Sequence, residues 1–211
     1  MTVRSTTASL LVLVLAACSQ ASTEPAPAPV ENGWQAGPII NGVNYSPGVQ
    51  LVAVADGVTF TFPTAPPGIH YLTKHATAPT GRTKIVAKFT IAGDAGTTFK
   101  EIDCGQATNP NCTPGPGNVR LYLERRGMTF DWRPYRFWSP PVALAISDYS
   151  LELPLDPANW ITVNGQPDAA GLQATLDELN TIGLTFGGMF AGHGALAIGN
   201  ATGIIIKVEV E

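Results

Sequence analysis

The segment Lys84-Ile85-Val86-Ala87-Lys88-Phe89-Thr90-Ile91 decides the fold class, because its pattern repeats every two residues. Ile85, Ala87, Phe89 and Ile91 fall on one face of an extended chain, which predicts a half-buried β-strand. The same alternation appears in four other segments, Val58–Phe62, Asn118–Glu124, Ser150–Leu155 and Ile204–Val210. Shorter strands are predicted over Tyr135–Ser139, Val142–Ile146, Ile182–Phe186 and Ala195–Ile198. The chain is therefore predicted to be all-β.

One segment, Asp168–Asn180, has a helical pattern instead. Leu172, Leu176 and Leu179 fall on one helical stripe, and Asp168 is placed to cap the N-terminus. The 22 glycines and 18 prolines supply turns between the strands. Many short strands with a single helical insertion predict an antiparallel β-sandwich.

The N-terminal residues resemble a bacterial lipoprotein signal. Arg4 precedes an apolar run from Leu10 to Leu15, and Leu15-Ala16-Ala17-Cys18 follows. The run is too short to span a bilayer, which takes about 20 apolar residues. The resemblance implies removal of residues 1–17 and a Cys18 that carries diacylglycerol and an acyl chain such as palmitate. The alternative is an ordinary signal peptide in which the cysteine occurs by chance.

A Pro/Ala-rich segment over residues 18–30 follows, and its composition predicts an extended tether rather than a folded unit. Residues 31–211 then have the length of a single β-sandwich domain. Ser19 follows the lipidated cysteine, where an aspartate would imply retention in the inner membrane. The expected location is therefore the bacterial cell envelope, with a lipid anchor in the outer membrane.

Two further cysteines, Cys104 and Cys112, lie in a loop-like segment rich in Pro, Gly and Asn. Cysteines of an exported protein commonly pair, so a disulfide is expected between them. Metal binding is the alternative, although no histidine or second cysteine pair lies nearby in the sequence. The net charge of the chain is −4, which leaves no basic footprint for nucleic acid.

The order of strands and aromatic segments resembles the jelly-roll β-sandwiches of the galactose-binding-domain-like class, which includes many carbohydrate-binding modules. The resemblance covers most of Val49 to Glu211 and depends on four segments, Asp131–Trp138, Leu153–Trp160, Ile182–Gly188 and Gly192–Gly194. It implies sugar binding on a concave sheet face or in loops, and a structural calcium ion. No calcium ligands can be matched to particular residues.

A candidate ligand-binding surface comes from the residues that alternate with the core positions of the strands. If the strand that contains Lys88 lies next to the strands of Arg120–Glu124 and Arg136–Trp138, one sheet displays six such residues: Lys88, Arg120, Tyr122, Glu124, Arg136 and Trp138. Aromatic rings stack on sugar rings, and charged groups bind hydroxyls. Exposure of Trp138, Tyr122 and Arg136 on a concave face is the decisive condition. The alternatives are that the aromatics fill the core and that the charges form an ordinary solvated strand face.

Arginines are concentrated in the same region, since Arg120, Arg125, Arg126, Arg133 and Arg136 lie within one stretch. Such clusters suit acidic sugars, phosphates or sulfates. A salt-bridge network with Glu124 and Asp131 is the alternative. His70, His75 and His193 are predicted to be surface or loop residues, with His193 a sugar contact or general base only if it approaches the aromatic segment.

Catalytic motifs of hydrolases, zinc proteases and nucleotide-binding proteins are absent from the sequence. Several carboxylates could form an acid–base pair for glycoside hydrolysis, namely Glu101, Asp103, Glu124, Asp131, Asp148, Glu152 and Asp156. The leading hypothesis is a lipoprotein whose β-sandwich binds a carbohydrate. Two alternatives stay open: a structural or interaction lipoprotein of the envelope that contacts another protein, and a glycoside hydrolase or polysaccharide lyase on the same fold.

Overall fold

The computed structural model describes residues 33–102, 114–127, 135–188 and 192–211. The strands are β1 Trp34–Gly37, β2 Ile39–Ile40, β3 Val43–Asn44, β4 Val52–Val54, β5 Gly57–Thr61, β6 Tyr71–His75, β7 Lys84–Gly93, β8 Thr98–Glu101, β9 Asn118–Arg125, β10 Arg136–Trp138, β11 Val142–Ala143, β12 Ser147–Pro154, β13 Leu179–Gly187, β14 Ala195–Ile198 and β15 Ala201–Val210. A 3-10 helix spans Pro157–Asn159, and the α-helix α1 spans Ala169–Asp177.

Two antiparallel sheets form the sandwich. The first sheet has the order β1-β6-β13-β9-β10, with β11 also paired to β9. The second sheet has the order β12-β7-β15-β5-β4. Two short antiparallel pairs, β8 with β14 and β2 with β3, lie beside them. The fold is the predicted all-β, antiparallel jelly-roll sandwich with one short helix.

The core lies between the inner faces of the two sheets. Ile85, Ala87, Phe89 and Ile91 of β7 are all buried, which confirms the alternation in the sequence. Residues from both sheets and the segment after β12 share this core, among them Val119, Leu121, Leu123, Phe137, Trp160, Leu184, Phe186 and Val208. Each large apolar side chain buried in this way stabilises the fold by about 1.5–3 kcal/mol.

Helix α1 begins where the sequence predicts. The side chain of Asp168 caps it, because its Oδ1 accepts a hydrogen bond from the backbone N–H of Gly171 at 2.9 Å. Leu172 and Leu176 are buried against the core. The helix ends at Asp177, and the predicted stripe residue Leu179 begins β13 instead.

One predicted strand is shorter than expected. The segment Val142–Ile146 pairs with β9 only at Val142 and Ala143. Beyond them, the backbone N–H of Ala145 donates to the hydroxyl of Tyr149 at 2.6 Å, which replaces a strand partner.

The signal over residues 1–17, the lipidation site Cys18, the tether over residues 18–30, and Cys104 and Cys112 all lie outside the described residues. In the described ranges, no helix has the length and apolar character needed to cross a membrane.

Candidate ligand-binding cleft

The outer face of the first sheet carries three rows of side chains that run across its strands. The pairing register gives the rows as His75–Thr181–Glu124–Arg136, Gln35–Thr73–Gly183–Tyr122–Trp138, and Gly37–Tyr71–Thr185–Arg120. Because β9 and β13 alternate between core and outer positions, every second residue joins these rows. Polar and aromatic side chains of five strands therefore meet on one face.

Five of the six predicted ligand-binding residues lie in these rows: Arg120, Tyr122, Glu124, Arg136 and Trp138. The placement of Lys88 was wrong. Its strand β7 pairs with β12 and β15 in the second sheet, and Lys88 is exposed on the outer face of that sheet. Alternation in a sequence predicts a strand but not the sheet that the strand joins. Here β7 and β9 belong to the two opposite sheets of the sandwich.

The exposure on which the aromatic surface depended is not found, and the alternative that its aromatic side chains are packed inside the fold holds. Tyr122 is 1% exposed, Trp138 is 4% exposed and Arg136 is 7% exposed. Ile161 and Val163 pack against these rings, and Ile161 forms a backbone bridge to Trp138 with N–H···O distances of 2.9 and 3.0 Å. The segment after the 3-10 helix thus covers the end of the face, so Trp138 cannot stack on a ligand.

These buried rings form an aromatic cluster apart from the main core. Tyr71 and Tyr122 meet edge to face with centroids 5.1 Å apart, and Tyr122 lies 5.4 Å from Trp138. The guanidinium of Arg136 lies 5.6 Å from the centre of the Trp138 ring. Gly192 has a φ of +75° and touches the Tyr71 ring, since an added Cβ there would lie 2.4 Å from Cε2. This cluster gives the face a rigid floor.

Glu124 is the acidic group of this floor. Its Oε2 accepts a hydrogen bond from the Tyr122 hydroxyl, and its Oε1 accepts one from Thr181 Oγ1 at 3.5 Å. Burial raises the pKa of Glu124, although the Tyr122 hydrogen bond and the nearby Arg136 charge oppose that shift. Burial, followed by the charge of Glu124, raises the pKa of Tyr122 well above its ordinary value. Tyr122 therefore stays protonated and donates to the carboxylate.

A cleft of about 310 Å³ opens beside this floor, with one wall formed by residues 37–39. Its other lining residues come from β1, β6, β9 and β13 and the residues next to them: Gly33, Gln35, Tyr71, Thr73, Lys74, His75, Tyr122, Glu124, Asn180 and Thr181. Gly183 lies in the row between Thr73 and Tyr122. Because glycine has no side chain, the surface is depressed at the centre of this face. The volume is at the lower end of the range of small-ligand pockets.

The described members of the arginine cluster, Arg120, Arg125, Arg126 and Arg136, do not line this cleft. Arg120 is buried and donates from Nη1 to the carbonyl of Ser139 at 2.9 Å. Arg125 forms a two-point ion pair with Glu178, at 3.0 and 2.8 Å. The salt-bridge alternative holds for Arg125, with Glu178 as its partner instead of Glu124. Arg133 and Asp131 lie outside the described residues.

Several cleft residues were not predicted, because β1 and β6 were missed. Gln35, Tyr71 and Thr73 lie on these two strands. Tyr71-Leu72-Thr73 does alternate, but the run is short and a Pro-rich segment precedes it, so the periodic signal is weak. His75 was predicted to be a surface or loop residue; it is exposed at the end of β6 and lines the cleft.

The other histidines lie away from the cleft lining. Both ring nitrogens of His70 lie near backbone carbonyls, with Nδ1 2.9 Å from the oxygen of Gly192 and Nε2 2.8 Å from that of Pro67. His193 follows Gly192 in the turn before β14. Across the described segments, no three His, Cys, Asp or Glu side chains converge on a metal-binding position, so no calcium ligands are assigned.

No family model matches the chain, and no curated protein is significantly similar to it. Among solved structures, it is similar to a variant of xylanase 10C from Cellvibrio japonicus in complex with xylopentaose, with a TM-score of 0.42 and 16% identity over 85% of this chain. The chain spans 27% of that xylanase. It is also similar to the xylan-binding module CBM15, with a TM-score of 0.40 and 16% identity over 84% of this chain and 93% of the module.

A third similar structure is CtCBM11, with a TM-score of 0.36 and 14% identity over 85% of this chain and 95% of that one. CBM15 and CtCBM11 are carbohydrate-binding modules, the kind of β-sandwich that the strand pattern of the sequence predicts. All three TM-scores are below 0.5, and similarities of this degree do not indicate a function.

Proposed function

We propose that this β-sandwich binds a neutral carbohydrate in the cleft on the outer face of the first sheet. The observation that carries the proposal is the polar lining of the cleft, to which four neighbouring strands and the residues beside them contribute. Gln35 and Asn180 supply amides, Thr73 and Thr181 supply hydroxyls, and Glu124 supplies a carboxylate. Amides and hydroxyls both donate and accept hydrogen bonds, which matches a ligand whose surface consists of hydroxyl groups.

The charge distribution favours a neutral sugar over an acidic one. Glu124 lines the cleft, and a second negative charge beside this desolvated carboxylate would raise its energy. Arg120 and Arg125 are held by Ser139 and Glu178, outside the cleft lining. Lys74 does line the cleft, but its ammonium lies over the Trp34 ring at 5.4 Å, on the core side of the strand. The uronate-binding role expected of the arginine cluster is therefore not part of the proposal.

The number of carboxylates in the cleft favours binding over hydrolysis. Glycosidases of the usual kind place two carboxyl groups on either side of the scissile bond, about 5–9.5 Å apart. Among the described residues that line the cleft, Glu124 is the one carboxylate. A single acid supplies only half of that machinery.

The proposed setting of this activity is the bacterial envelope. We propose that Cys18 anchors the domain to the outer membrane and that the segment over residues 18–30 spaces it from the bilayer. A disulfide between Cys104 and Cys112 and a structural calcium ion stay predictions. Mass measurement of the membrane-extracted protein before and after lipoprotein lipase and reducing agent tests the lipid and the disulfide.

The binding experiment uses a panel of soluble oligosaccharides and isothermal titration calorimetry. The panel contains β-linked xylose, glucose, mannose and galactose oligomers together with oligogalacturonates. We expect at least one neutral series to bind and the oligogalacturonates to bind at least tenfold more weakly. Binding by no neutral series, or preferential binding of uronates, contradicts the proposal.

The double variant Gln35→Ala/Thr73→Ala localises the site. Both side chains are half-buried in the cleft, so their loss removes ligand contacts without emptying the core. We expect the affinity for the best neutral ligand to fall at least tenfold. The matched control is Thr61→Ala, an exposed threonine on β5 of the second sheet, which should leave the affinity unchanged.

A further inference from the structure

Tyr45 is an exposed aromatic ring in a fold whose predicted stacking platform is buried. Among the large apolar side chains that are exposed in the described part of the chain, it is the one aromatic, at 42% exposure. Tyr71, Tyr122 and Trp138 are each 5% exposed or less. A ring that stacks on a sugar needs a free face, and Tyr45 has the surface that those rings lack.

The backbone at Tyr45 is attached to the wall of the cleft. Its N–H donates to the carbonyl of Pro38 at 2.9 Å, and the hydroxyl of the next residue, Ser46, donates to the carbonyl of Gly37 at 2.6 Å. Gly37 and Pro38 both line the cleft. Tyr45 is therefore attached directly to the wall formed by residues 37–39.

The hairpin before Tyr45 fixes the position of this wall. Strands β2 and β3 are joined by Asn41-Gly42, whose φ angles of +51° and +80° belong to a type I′ turn. Ile39 of β2 lines the cleft and pairs with Asn44, the residue before Tyr45. One short hairpin thus connects the cleft wall to the exposed ring.

The ring contacts the imidazole of His70. Its centroid lies 6.0 Å from that of His70, with the two planes at 70°. The backbone N–H of His70 donates to Ser46 Oγ at 2.8 Å, and the following residue, Tyr71, is part of the cleft floor. A ring whose motion is restricted by such a contact loses less entropy when a ligand binds.

We propose that Tyr45 is a second sugar subsite, which stacks on a unit of a neutral oligosaccharide chain that extends out of the cleft past the wall at residues 37–39. This inference rests on the proposed function, because the cleft has to hold the first unit. The cleft has the volume of a small ligand, so a longer chain must continue beyond it. Tyr45 is hydrogen-bonded to the wall at residues 37–39, past which such a chain would run.

The test compares ligands of different length. Calorimetry with one to six units of the best neutral series gives the ratio between the affinity for the longest chain and that for the shortest chain that binds. We expect this ratio to be tenfold or more for the wild-type protein, close to one for Tyr45→Ala, and largely restored in Tyr45→Phe and Tyr45→Trp, which keep a ring. Val43→Ala, at an exposed residue of the same hairpin, is the control and should leave the ratio unchanged.

The outcomes separate this inference from the proposed function. If Gln35→Ala/Thr73→Ala weakens binding but Tyr45→Ala keeps the wild-type length ratio, the subsite is refuted and the cleft stands. If Tyr45→Ala, Tyr45→Phe and Tyr45→Trp all lose the ratio equally, the ring does not act by stacking and the inference fails. If no neutral series binds, both the function and the subsite are refuted.

Discussion

The outer faces of the two sheets differ although the strands beneath them follow the same alternation. On the first sheet, the outer positions are occupied by Tyr122, Trp138 and Arg136, all buried. On the second sheet they carry Val52, Lys88 and Ile206, all exposed. The difference arises because the segment with Ile161 and Val163 packs on the first face. Alternation of side chains along a strand thus identifies its two faces, but it does not show whether another segment packs on the outer face.

Electrostatics separate the faces in the same way. The second sheet has solvent-exposed ion pairs, such as Lys84 with Glu152 at 2.7 Å and Lys207 with Glu211 at 2.5 Å. On the first sheet, Glu124 is hydrogen-bonded to Tyr122 in a desolvated setting. Exposed pairs are screened and contribute little, whereas a desolvated carboxylate is sensitive to each neighbour. We place the ligand on the face where the polar groups are partly withdrawn from water.

The largest contrast is expected from truncating one side chain on each face. Trp138→Ala should lower the free energy of unfolding by about 3–5 kcal/mol, because it empties a packed aromatic cluster. Ile206→Ala, at 49% exposure on the second sheet, should change it by about 0.5 kcal/mol or less. Urea unfolding followed by tryptophan fluorescence and circular dichroism measures both. Equal losses for the two variants would show that the outer faces do not differ in packing.

A smaller effect is expected at Gly183, in the centre of the first face. A Cβ there would lie 2.1 Å from the carbonyl oxygen of Leu72 on β6, so the two strands must move apart. Gly183→Ala should therefore destabilise the fold by about 1–3 kcal/mol and weaken binding in the cleft. Gly48→Ala is the control, because an added Cβ at Gly48 meets nothing within 4 Å. A Gly183→Ala protein as stable as the control contradicts this close approach.

The pH dependence of stability should have opposite signs at two glutamates. The pKa of Glu124 is raised in the folded protein, so its contribution to stability decreases as the pH rises from the ordinary value of 4.5 through the raised pKa. The hydrogen bond from Lys207 lowers the pKa of Glu211, so its contribution is present above 4.5 and is lost as the pH falls through the lowered pKa. Urea midpoints from pH 3 to 8 measure both.

In the wild-type protein, the titration of Glu124 should lower the stability as the pH rises above 4.5, and Glu124→Gln should abolish this decrease. The titration of Glu211 should lower the stability as the pH falls below about 4.5, and Glu211→Gln should abolish that loss. The Glu211 effect should be the smaller one, since its side chain is exposed to solvent. If Glu124→Gln leaves the profile above pH 4.5 unchanged, Glu124 is not desolvated in solution.

The smallest effect is expected from the ion pair of Lys84 and Glu152 on the second sheet. Both side chains are well exposed, at 33% and 61%. Glu152→Gln should shift the melting temperature by about 3 °C or less, and less still in 0.5 M salt. Differential scanning calorimetry at two salt concentrations measures the shift. A large shift that persists at high salt would mean that this face is as desolvated as the first.

Much of the fold could be predicted from the sequence, because long alternating runs such as Lys84–Ile91 carry a strong local signal. The run Ile204–Val210 does form a strand, but a register shift between Ile205 and Lys207 breaks its alternation, so that Ile206 is exposed while Val208 and Val210 are buried. The short strands β1, β4 and β6 were missed, since three to five residues give too few repeats to establish a period. The hairpin of β2 and β3 was missed as well, although Asn41-Gly42 between Ile40 and Val43 is a sequence typical of a tight hairpin turn.

The site could be predicted only in part. Tyr122 and Glu124 were identified because they alternate with core leucines on one strand. Gln35, Thr73 and Thr181 could not be identified, because their proximity depends on how distant strands pair. Burial of Trp138 was one of the alternatives drawn from the sequence, but the contact with Ile161 on which it depends is encoded by no local pattern.

The most direct test of the central claim is hydrogen–deuterium exchange of the full chain with and without a saturating neutral oligosaccharide. We predict slower exchange on binding in peptides that cover β1, β2, β6, β9 and β13, which line the cleft. Peptides from β7, β12 and β15 of the second sheet should exchange at unchanged rates. Protection confined to the second sheet, or no protection of the cleft strands at saturation, would contradict the assignment of the ligand site.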